Sequence, residues 1–253
     1  MTKTLHGAYD ARGPAARREA RLRSADYARL TLVRHADPDW NPGGGPSVND
    51  PGLTVFGKEQ ARAIAKTLAA ERIDALYVSP YRRAQETAAA LVETTGLEPI
   101  RIDGLREIGI NVGGLSQTAV DRYFIEAMKR PLHEHWEGWP KSESFRDFHA
   151  RVTRSLADIL ARHGMQAERV SEFTVWHLEK EPPSLVIVGH GGTNAVLLAH
   201  LLDIEPVPWE WLRFESELAA YSVVQARPMG TRGHVWALQN FNELDHLRAA
   251  GLR

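Results

Sequence analysis

The stretch TLVRHADPDWN, Thr31 to Asn41, begins as an apolar strand and ends in a cluster of polar side chains. Leu30 to Val33 is a short run of apolar and β-branched residues, which predicts a β-strand. An arginine and a histidine, Arg34 and His35, follow it directly, with an aspartate two residues after the histidine and an asparagine six residues after it. Either this is an ordinary surface strand end, or it is a phosphate site that contains a nucleophilic imidazole.

Strands and helices alternate along the rest of the chain. Further strands are predicted at 75–78, 100–102, 185–188, 219–225 and 234–240, and helices at 53–70, 80–95, 116–129, 144–163 and after 190. Thr54, Ser79 and Ser144 are the expected N-caps, with Asp147 completing a capping box, and Gly96 is the expected helix stop. The alternation predicts an α/β fold: a three-layer sandwich with a mostly parallel sheet flanked by helices on both faces.

The expected domain organisation is an N-terminal arm, residues 1–29, followed by a single catalytic domain, residues 30–253. The arm is rich in arginine and alanine, and its function is not legible from its composition. Within the domain, an irregular region at about 104–144 and a segment at about 165–183 carry no readable motif. We expect both to modify access to a site or assembly of the protein.

Composition excludes several classes of protein. The 253 residues carry 31 Lys and Arg against 32 Asp and Glu, and this balance argues against a nucleic-acid partner. The absence of cysteine excludes disulfides, thiolate catalysis and cysteine-ligated zinc. No apolar run is long enough to predict a membrane span, and the first 29 residues contain no apolar core of a secretory signal. The sequence therefore predicts a cytoplasmic protein with no membrane or nucleic-acid partner.

Chemically active residues follow four separate predicted strands. Arg34 and His35 follow the first strand, Arg83 lies on the helix after the second, Glu107 follows the third, and His190 follows the apolar strand at 185–188. Because the carboxyl ends of parallel strands share one edge of a sheet, these side chains are expected to meet there.

Such a set suits phosphoryl transfer without a metal or other cofactor. Guanidinium groups bind a tetrahedral oxyanion, and a neutral imidazole can attack phosphorus. A carboxylic acid can protonate the leaving oxygen. The glycine pair that begins with Gly191 lets backbone N–H groups approach an anion at a helix N-terminus. Each residue alone also has an ordinary structural interpretation, and the spacing by itself leaves both interpretations open.

Seven motifs in order make the sequence resemble the histidine phosphatase superfamily, the phosphoglycerate mutase-like proteins of branch 1. They are VRHADPDWN (33–41), LTVFGKEQA (53–61), SPYRRAQETA (79–88), LREIGINVGG (105–114), ESFRDF (143–148), VIVGHGGTNAVLL (186–198) and NELDHL (242–247). They extend from about residue 30 to residue 247, so the resemblance covers most of the chain. It implies a phosphoglycerate mutase-like fold.

The resemblance also implies a role for each matching residue. His35 corresponds to the nucleophile that becomes phosphohistidine, and Arg34, Arg83 and His190 correspond to the phosphate clamp. Asn41 matches a further phosphate or substrate contact. Glu107 corresponds to the general acid that protonates the leaving group and then activates water.

Departures from the family pattern favour a phosphatase over a mutase. The loop PGGGPSVND, 42–50, lacks the arginine often found there, and the paired arginines that mutases use for phosphoglycerate are not evident after Glu107. The expected substrate is a small phosphorylated metabolite. A phosphoglycerate mutase-like phosphotransferase and an inactive phospho-ligand-binding member remain as alternatives, and a homodimer is left open.

Some residues near the expected site have competing interpretations. Asp37 is a second candidate acid, although a local turn before Pro38 is the favoured reading. Tryptophans in the variable regions are expected to pack the fold rather than to stack on a substrate. They are Trp136, Trp139, Trp176, Trp209 and Trp211. The remaining histidines do not have the spacing of a closed metal-ligand set, so no metal is expected.

Overall fold

The computed structural model describes residues 27–140 and 142–253. Most of the predicted N-terminal arm therefore lies outside the described residues. Within them, eight strands form one sheet. The strands are β1 (Arg29–Arg34), β2 (Ala75–Val78), β3 (Pro99–Arg101), β4 (Met165–Val170), β5 (Phe173–Leu178), β6 (Ser184–Gly189), β7 (Tyr221–Pro228) and β8 (His234–Glu243).

Within the described residues, five helices lie close to the predicted positions, and two short ones after residue 209 were not predicted. They are α1 (Val55–Leu68), α2 (Arg82–Thr95), α3 (Gln117–Met128), α4 (Phe145–Arg162), α5 (Gly191–Leu201), α6 (Glu210–Arg213) and α7 (Asp245–Ala249). The hydroxyls of Thr54 and Ser144 cap α1 and α4 as predicted, and Gly96 ends α2 in the left-handed conformation. Ser79 was wrongly predicted as the cap of α2, which begins three residues later without a side-chain cap.

The strand order β3-β2-β6-β1-β7-β8-β5-β4 divides the sheet into two halves. β3, β2, β6 and β1 are parallel, and the four strands from β7 to β4 are joined by antiparallel pairings. The predicted α/β class, with helices flanking the sheet, is confirmed. The predicted parallel pairing is found in the half of the sheet formed by β3, β2, β6 and β1, and the ends of these strands carry the predicted site residues.

β1 lies at the centre of the fold and is covered on both faces. Leu30 and Leu32 pack on one side with α4 and α5, whereas Val33 packs on the other side with α1 and α2. The predicted apolar face of α4 is entirely buried, from Phe145 to Leu160. This burial fixes the direction in which the end of β1 presents its polar residues.

The segment at 165–183 forms the β4–β5 hairpin at the sheet edge opposite β3. Pairing with β8 carries it to the antiparallel end of the sheet, and none of its residues lines the cavity, so the expected effect on access to the site is not seen. A role in assembly stays a prediction. Trp176 of this hairpin is 2% exposed and lies 6.1 Å from Trp236, ring centroid to ring centroid. Its predicted packing role is confirmed.

The other tryptophans from the variable regions also pack within the fold. Trp139 stacks on Trp211 with ring centroids 6.2 Å apart, and Trp136 lies edge-on to Phe145. No helix in the described part of the chain is long and apolar enough to cross a bilayer.

Candidate active site

Parallel pairing of β1 with β6 brings together two histidines that are far apart in sequence. Arg34 lies opposite Gly189 in the register, and the backbone N–H of His35 donates to the Gly189 carbonyl at 2.9 Å. Each strand therefore ends in a histidine at the same edge of the sheet. The ring centroids of His35 and His190 lie 5.2 Å apart.

The His35 ring is oriented with one nitrogen available for nucleophilic attack. Its Nδ1 lies 2.8 Å from the Ala36 carbonyl oxygen, which can only accept a hydrogen bond, so Nδ1 carries the proton. In the neutral ring the lone pair is then on Nε2. Burial, and secondarily the positive charge of Arg83, hold the pKa of His35 well below its ordinary value. The neutral form that a nucleophile requires is therefore the stable one.

Because the pKa of His35 is lowered, we expect the NMR signal of its imidazole not to titrate in the pH range in which exposed histidines titrate. At about pH 6 an ordinary histidine is mostly protonated, whereas His35 should remain neutral with its proton on Nδ1. Nitrogen-15 NMR of histidine-labelled protein measures this, and the signal is assigned by its loss in His35→Gln. A His35 signal that titrates near the ordinary histidine pKa would contradict the geometry.

Two arginines, one buried and one half-buried, line the cavity beside these rings. Arg83, 3% exposed, lies between two aromatic faces, with its guanidinium carbon 5.0 Å from the Trp40 ring centroid and 4.8 Å from that of Tyr81. Arg34 donates through Nη1 to the Ser216 carbonyl. Burial lowers the pKa of both arginines, and the negative charge of Glu107 opposes that shift.

Several polar atoms of these side chains are buried without a hydrogen-bond partner in the described part of the chain. They include Arg34 Nε, Arg83 Nε and Nη1, and His190 Nδ1. Buried donors without acceptors are costly in a folded protein, and clusters of them require an explanation. Guanidinium N–H groups that converge on one cavity beside two imidazoles form a binding site for a tetrahedral anion.

Glu107 lies at the N-terminus of α5, on the wall of the same cavity. Its carboxylate accepts hydrogen bonds from the backbone N–H groups of Gly192 at 2.8 Å and Thr193 at 3.1 Å. A Cβ at position 192 would lie 2.6 Å from Glu107 Oε1, so this close approach requires glycine. Gly191, the predicted phosphate-binding glycine, also lines the cavity.

Two predicted residues behave differently from expectation. Asn41 is not brought to the cavity wall, because its amide donates to the Gly45 carbonyl and the Ser47 hydroxyl, both at 3.1 Å, within its own loop. Its role as a phosphate contact stays a prediction. Asp37 does line the cavity, and its carboxylate accepts from the Thr54 hydroxyl at 2.7 Å. This contact ties the end of β1 to the start of α1.

Ser79 is a site residue that the sequence reasoning missed. Its hydroxyl lies 2.7 Å from His190 Nε2, and both residues are fully buried. The same hydroxyl accepts from the Tyr81 backbone N–H at 3.3 Å, ahead of α2, which begins at Arg82. The bond to Nε2 fixes the His190 ring, and leaves Nδ1 as its unpartnered nitrogen. The position of Ser79 at the start of the SPYRRAQETA motif was the signal that could have identified it.

We expect Ser79→Ala to lower kcat about tenfold, because the neighbouring group that orients the His190 imidazole is lost. The free energy of unfolding should fall by about 1–2 kcal/mol, since a buried ring nitrogen loses its partner. Steady-state kinetics and urea unfolding measure the two effects. Ser184→Ala, at the opposite end of β6, is the matched control. A Ser79→Ala variant with unchanged kcat and an unchanged His190 NMR signal would exclude the positioning role.

Two arginines, two imidazoles and a carboxyl group at the ends of parallel strands place in this α/β protein a set of donors that suits a tetrahedral anion. The sequence matches the family model of the histidine phosphatase superfamily (branch 1) over residues 30–239. The chain therefore belongs to that superfamily.

Similar proteins agree with this assignment. Phosphoserine phosphatase 1 of Hydrogenobacter thermophilus is 34% identical over 153 residues, which cover 58% of this chain and 71% of that protein. Glucosyl-3-phosphoglycerate phosphatase of Mycobacterium tuberculosis is 32% identical over 186 residues, 72% of this chain and 78% of that protein. The structure of a mycobacterial glucosyl-3-phosphoglycerate phosphatase with VO3 superimposes with a TM-score of 0.65 at 27% identity, covering 85% of this chain and 99% of that chain.

Proposed function

We propose that this protein is a phosphatase that hydrolyses small phosphomonoesters through a phosphohistidine intermediate on His35. The phosphatase class is supported by the family membership and by the similar phosphatases described above. The observation that carries the mechanism is the convergence of His35 and the guanidinium groups of Arg34 and Arg83 on one cavity, with the buried His190 ring 5.2 Å behind that of His35.

In the first step, His35 Nε2 attacks phosphorus and the bond between phosphorus and the leaving oxygen breaks. The two guanidinium groups hold the non-bridging oxygens and stabilise the charge that develops on them. Glu107, in its protonated form, gives a proton to the leaving oxygen, and the alcohol departs. The products are phosphohistidine at position 35 and the Glu107 carboxylate.

In the second step, a water molecule attacks the phosphohistidine. The Glu107 carboxylate accepts a proton from that water, the bond between Nε2 and phosphorus breaks, and inorganic phosphate forms. The hydrogen bond from Nδ1 to the Ala36 carbonyl keeps the imidazole in one orientation through both steps. The cycle restores neutral His35 and protonated Glu107, using only side chains of the chain itself.

Product partitioning tests hydrolysis against transfer. With p-nitrophenyl phosphate, the proposal predicts equal amounts of p-nitrophenol and inorganic phosphate, even in the presence of added glycerol or 3-phosphoglycerate. A phosphotransferase would instead release less phosphate than phenol when an acceptor is present. Absence of turnover across a panel of phosphomonoesters would support the inactive-binder alternative and overturn the proposal.

A cytoplasmic location and a homodimer stay predictions. In the described residues, no group of three or more His, Cys, Asp or Glu side chains is arranged to hold a metal ion.

A further inference from the structure

Beyond the phosphate-binding end, the active-site cavity is large and mainly apolar. Its volume is about 730 Å³. Helix α3 presents Gln117, Val120 and Phe124 to it, at positions i, i+3 and i+7 along one face. The loop before α3 adds Ile108 and Ile110.

The opposite side of the cavity is partly aromatic. Trp40 and Tyr81 line it, along with Leu218 from the loop before β7. Both aromatic rings also contact the Arg83 guanidinium, so they extend from the phosphate-binding group toward the wider part of the cavity. An apolar or aromatic substituent on a bound phosphate would therefore lie between apolar walls along its whole length beyond the phosphate-binding end.

Charge on the described part of the wall is concentrated at the phosphate-binding end. Among residues 27–140 and 142–253, Arg34 and Arg83 are the only lysine or arginine side chains that line the cavity. Both are assigned to the phosphate. Asp37 places a carboxylate on the same wall. The other polar lining residues are neutral: Ser47, Asn49, Asn111, Gln117 and Ser142. A second anionic group on the substrate would find no further cation among these residues, and two carboxylates, Asp37 and Glu107.

We infer that this phosphatase acts on monoesters whose alcohol part is uncharged and largely apolar, with the dimensions of an aromatic ring or larger. The inference rests on the proposed function and names the substrate class of that site. It separates this chain from the similar phosphatases named above, because phosphoserine and glucosyl-3-phosphoglycerate both carry a carboxylate. A cavity of about 730 Å³ is of the size that holds drug-sized ligands, far larger than glycerate requires.

Three aryl phosphates that differ in one substituent test the charge preference. They are 4-methylphenyl, 4-carbamoylphenyl and 4-carboxyphenyl phosphate. The carboxylated phenol lies between the other two as a leaving group, so intrinsic reactivity alone would place its ester in the middle. The inference predicts a kcat/KM for the carboxylated ester about tenfold or more below both neutral esters, as one unpaired charge in a poorly solvated site costs at least that factor. O-Phosphoserine and 3-phosphoglycerate should be poorer still.

Variants of the wall test the same point independently of leaving-group chemistry. Asn111 is exposed on a loop of the wall, so Asn111→Arg adds a cation without disturbing the core. It should raise the ratio of kcat/KM for the carboxylated ester to that for the carbamoyl ester about tenfold, and Asn111→Gln should leave the ratio unchanged. Phe124→Ala should lower kcat/KM for 1-naphthyl phosphate about fivefold more than for methyl phosphate, since only the larger ester contacts that ring.

The outcomes separate this inference from the proposed function. If the wild type prefers the carboxylated ester and still releases phosphate, the inferred substrate class is wrong and the proposed phosphatase function stands. Lys141, next to Ser142 in sequence, lies outside the described residues, so Lys141→Ala is assayed in parallel. A preference for carboxylated esters that disappears in Lys141→Ala would overturn the inference and identify the cation responsible. No turnover of any ester would overturn the proposed function and this inference with it.

Discussion

Replacing His35 with alanine is expected to lower kcat for phosphomonoester hydrolysis by about 10⁴-fold or more, as loss of the nucleophile does in other enzymes with covalent intermediates. The other imidazole of the pair, His190, does not replace it, because its Nε2 is bonded to Ser79 and the ring is held in that orientation. The ring of His35 is 4% exposed, so the variant also loses packing, and its folding must be measured by circular dichroism alongside the phosphate-release assay.

Two controls make the His35 result interpretable. His35→Gln keeps most of the volume of the side chain and should be as inactive as His35→Ala. His177→Ala removes an exposed histidine of the β4–β5 hairpin, at the other edge of the sheet, and should retain full activity. A folded His35 variant that keeps more than about 1% of wild-type kcat would exclude His35 as the nucleophile, because that loss is smaller than any expected for a nucleophile.

Glu107→Gln is expected to lower kcat for an alkyl phosphate by about 10²–10⁴-fold, the usual contribution of general acid–base catalysis. Glutamine preserves the length of the side chain but only one of the two oxygens, which accept separately from the N–H groups of Gly192 and Thr193. One of these N–H groups loses its acceptor, so circular dichroism must show that the variant is folded before the loss of rate is assigned to proton transfer. Glu59→Gln, on the exposed side of α1, is the matched control.

The leaving group distinguishes the two roles of Glu107. p-Nitrophenolate departs without protonation, so the first step in Glu107→Gln should remain fast with p-nitrophenyl phosphate. The second step still requires activation of water and should be slow. Stopped-flow measurements should then show a burst of p-nitrophenol followed by slow turnover. Equal loss of rate with alkyl and p-nitrophenyl esters, and no burst, would contradict the acid–base assignment.

Residues whose position follows from strand ends could be predicted from sequence. Arg34, His35 and His190 lie at the ends of short apolar strands, and parallel pairing of β1 with β6 leaves little freedom in where they meet. Capping by Thr54 and the stop at Gly96 depend on local conformation, so their sequence signals were sufficient. The α/β class followed from the alternation of elements for the same reason.

Features that depend on competition between tertiary contacts could not be predicted. Ser79 opens a family motif, which points to the site, but only the tertiary structure shows that its hydroxyl contacts the buried His190 ring and does not cap α2. Asn41 matches a family motif, but its loop provides nearer acceptors for the amide. The segment at 165–183 pairs with the far edge of the sheet because β8 presents an unpaired edge there, which no local pattern indicates.

Trapping the covalent intermediate tests the central claim most directly. Glu107→Gln is mixed with excess p-nitrophenyl phosphate and quenched in alkali, because a phosphorus–nitrogen bond survives base and breaks in acid. Peptide mass spectrometry and phosphorus-31 NMR should then find stoichiometric phosphate on Nε2 of His35, since Nδ1 donates its proton to the Ala36 carbonyl. Phosphate on another residue, or turnover with no trapped phosphate at all, would contradict the account.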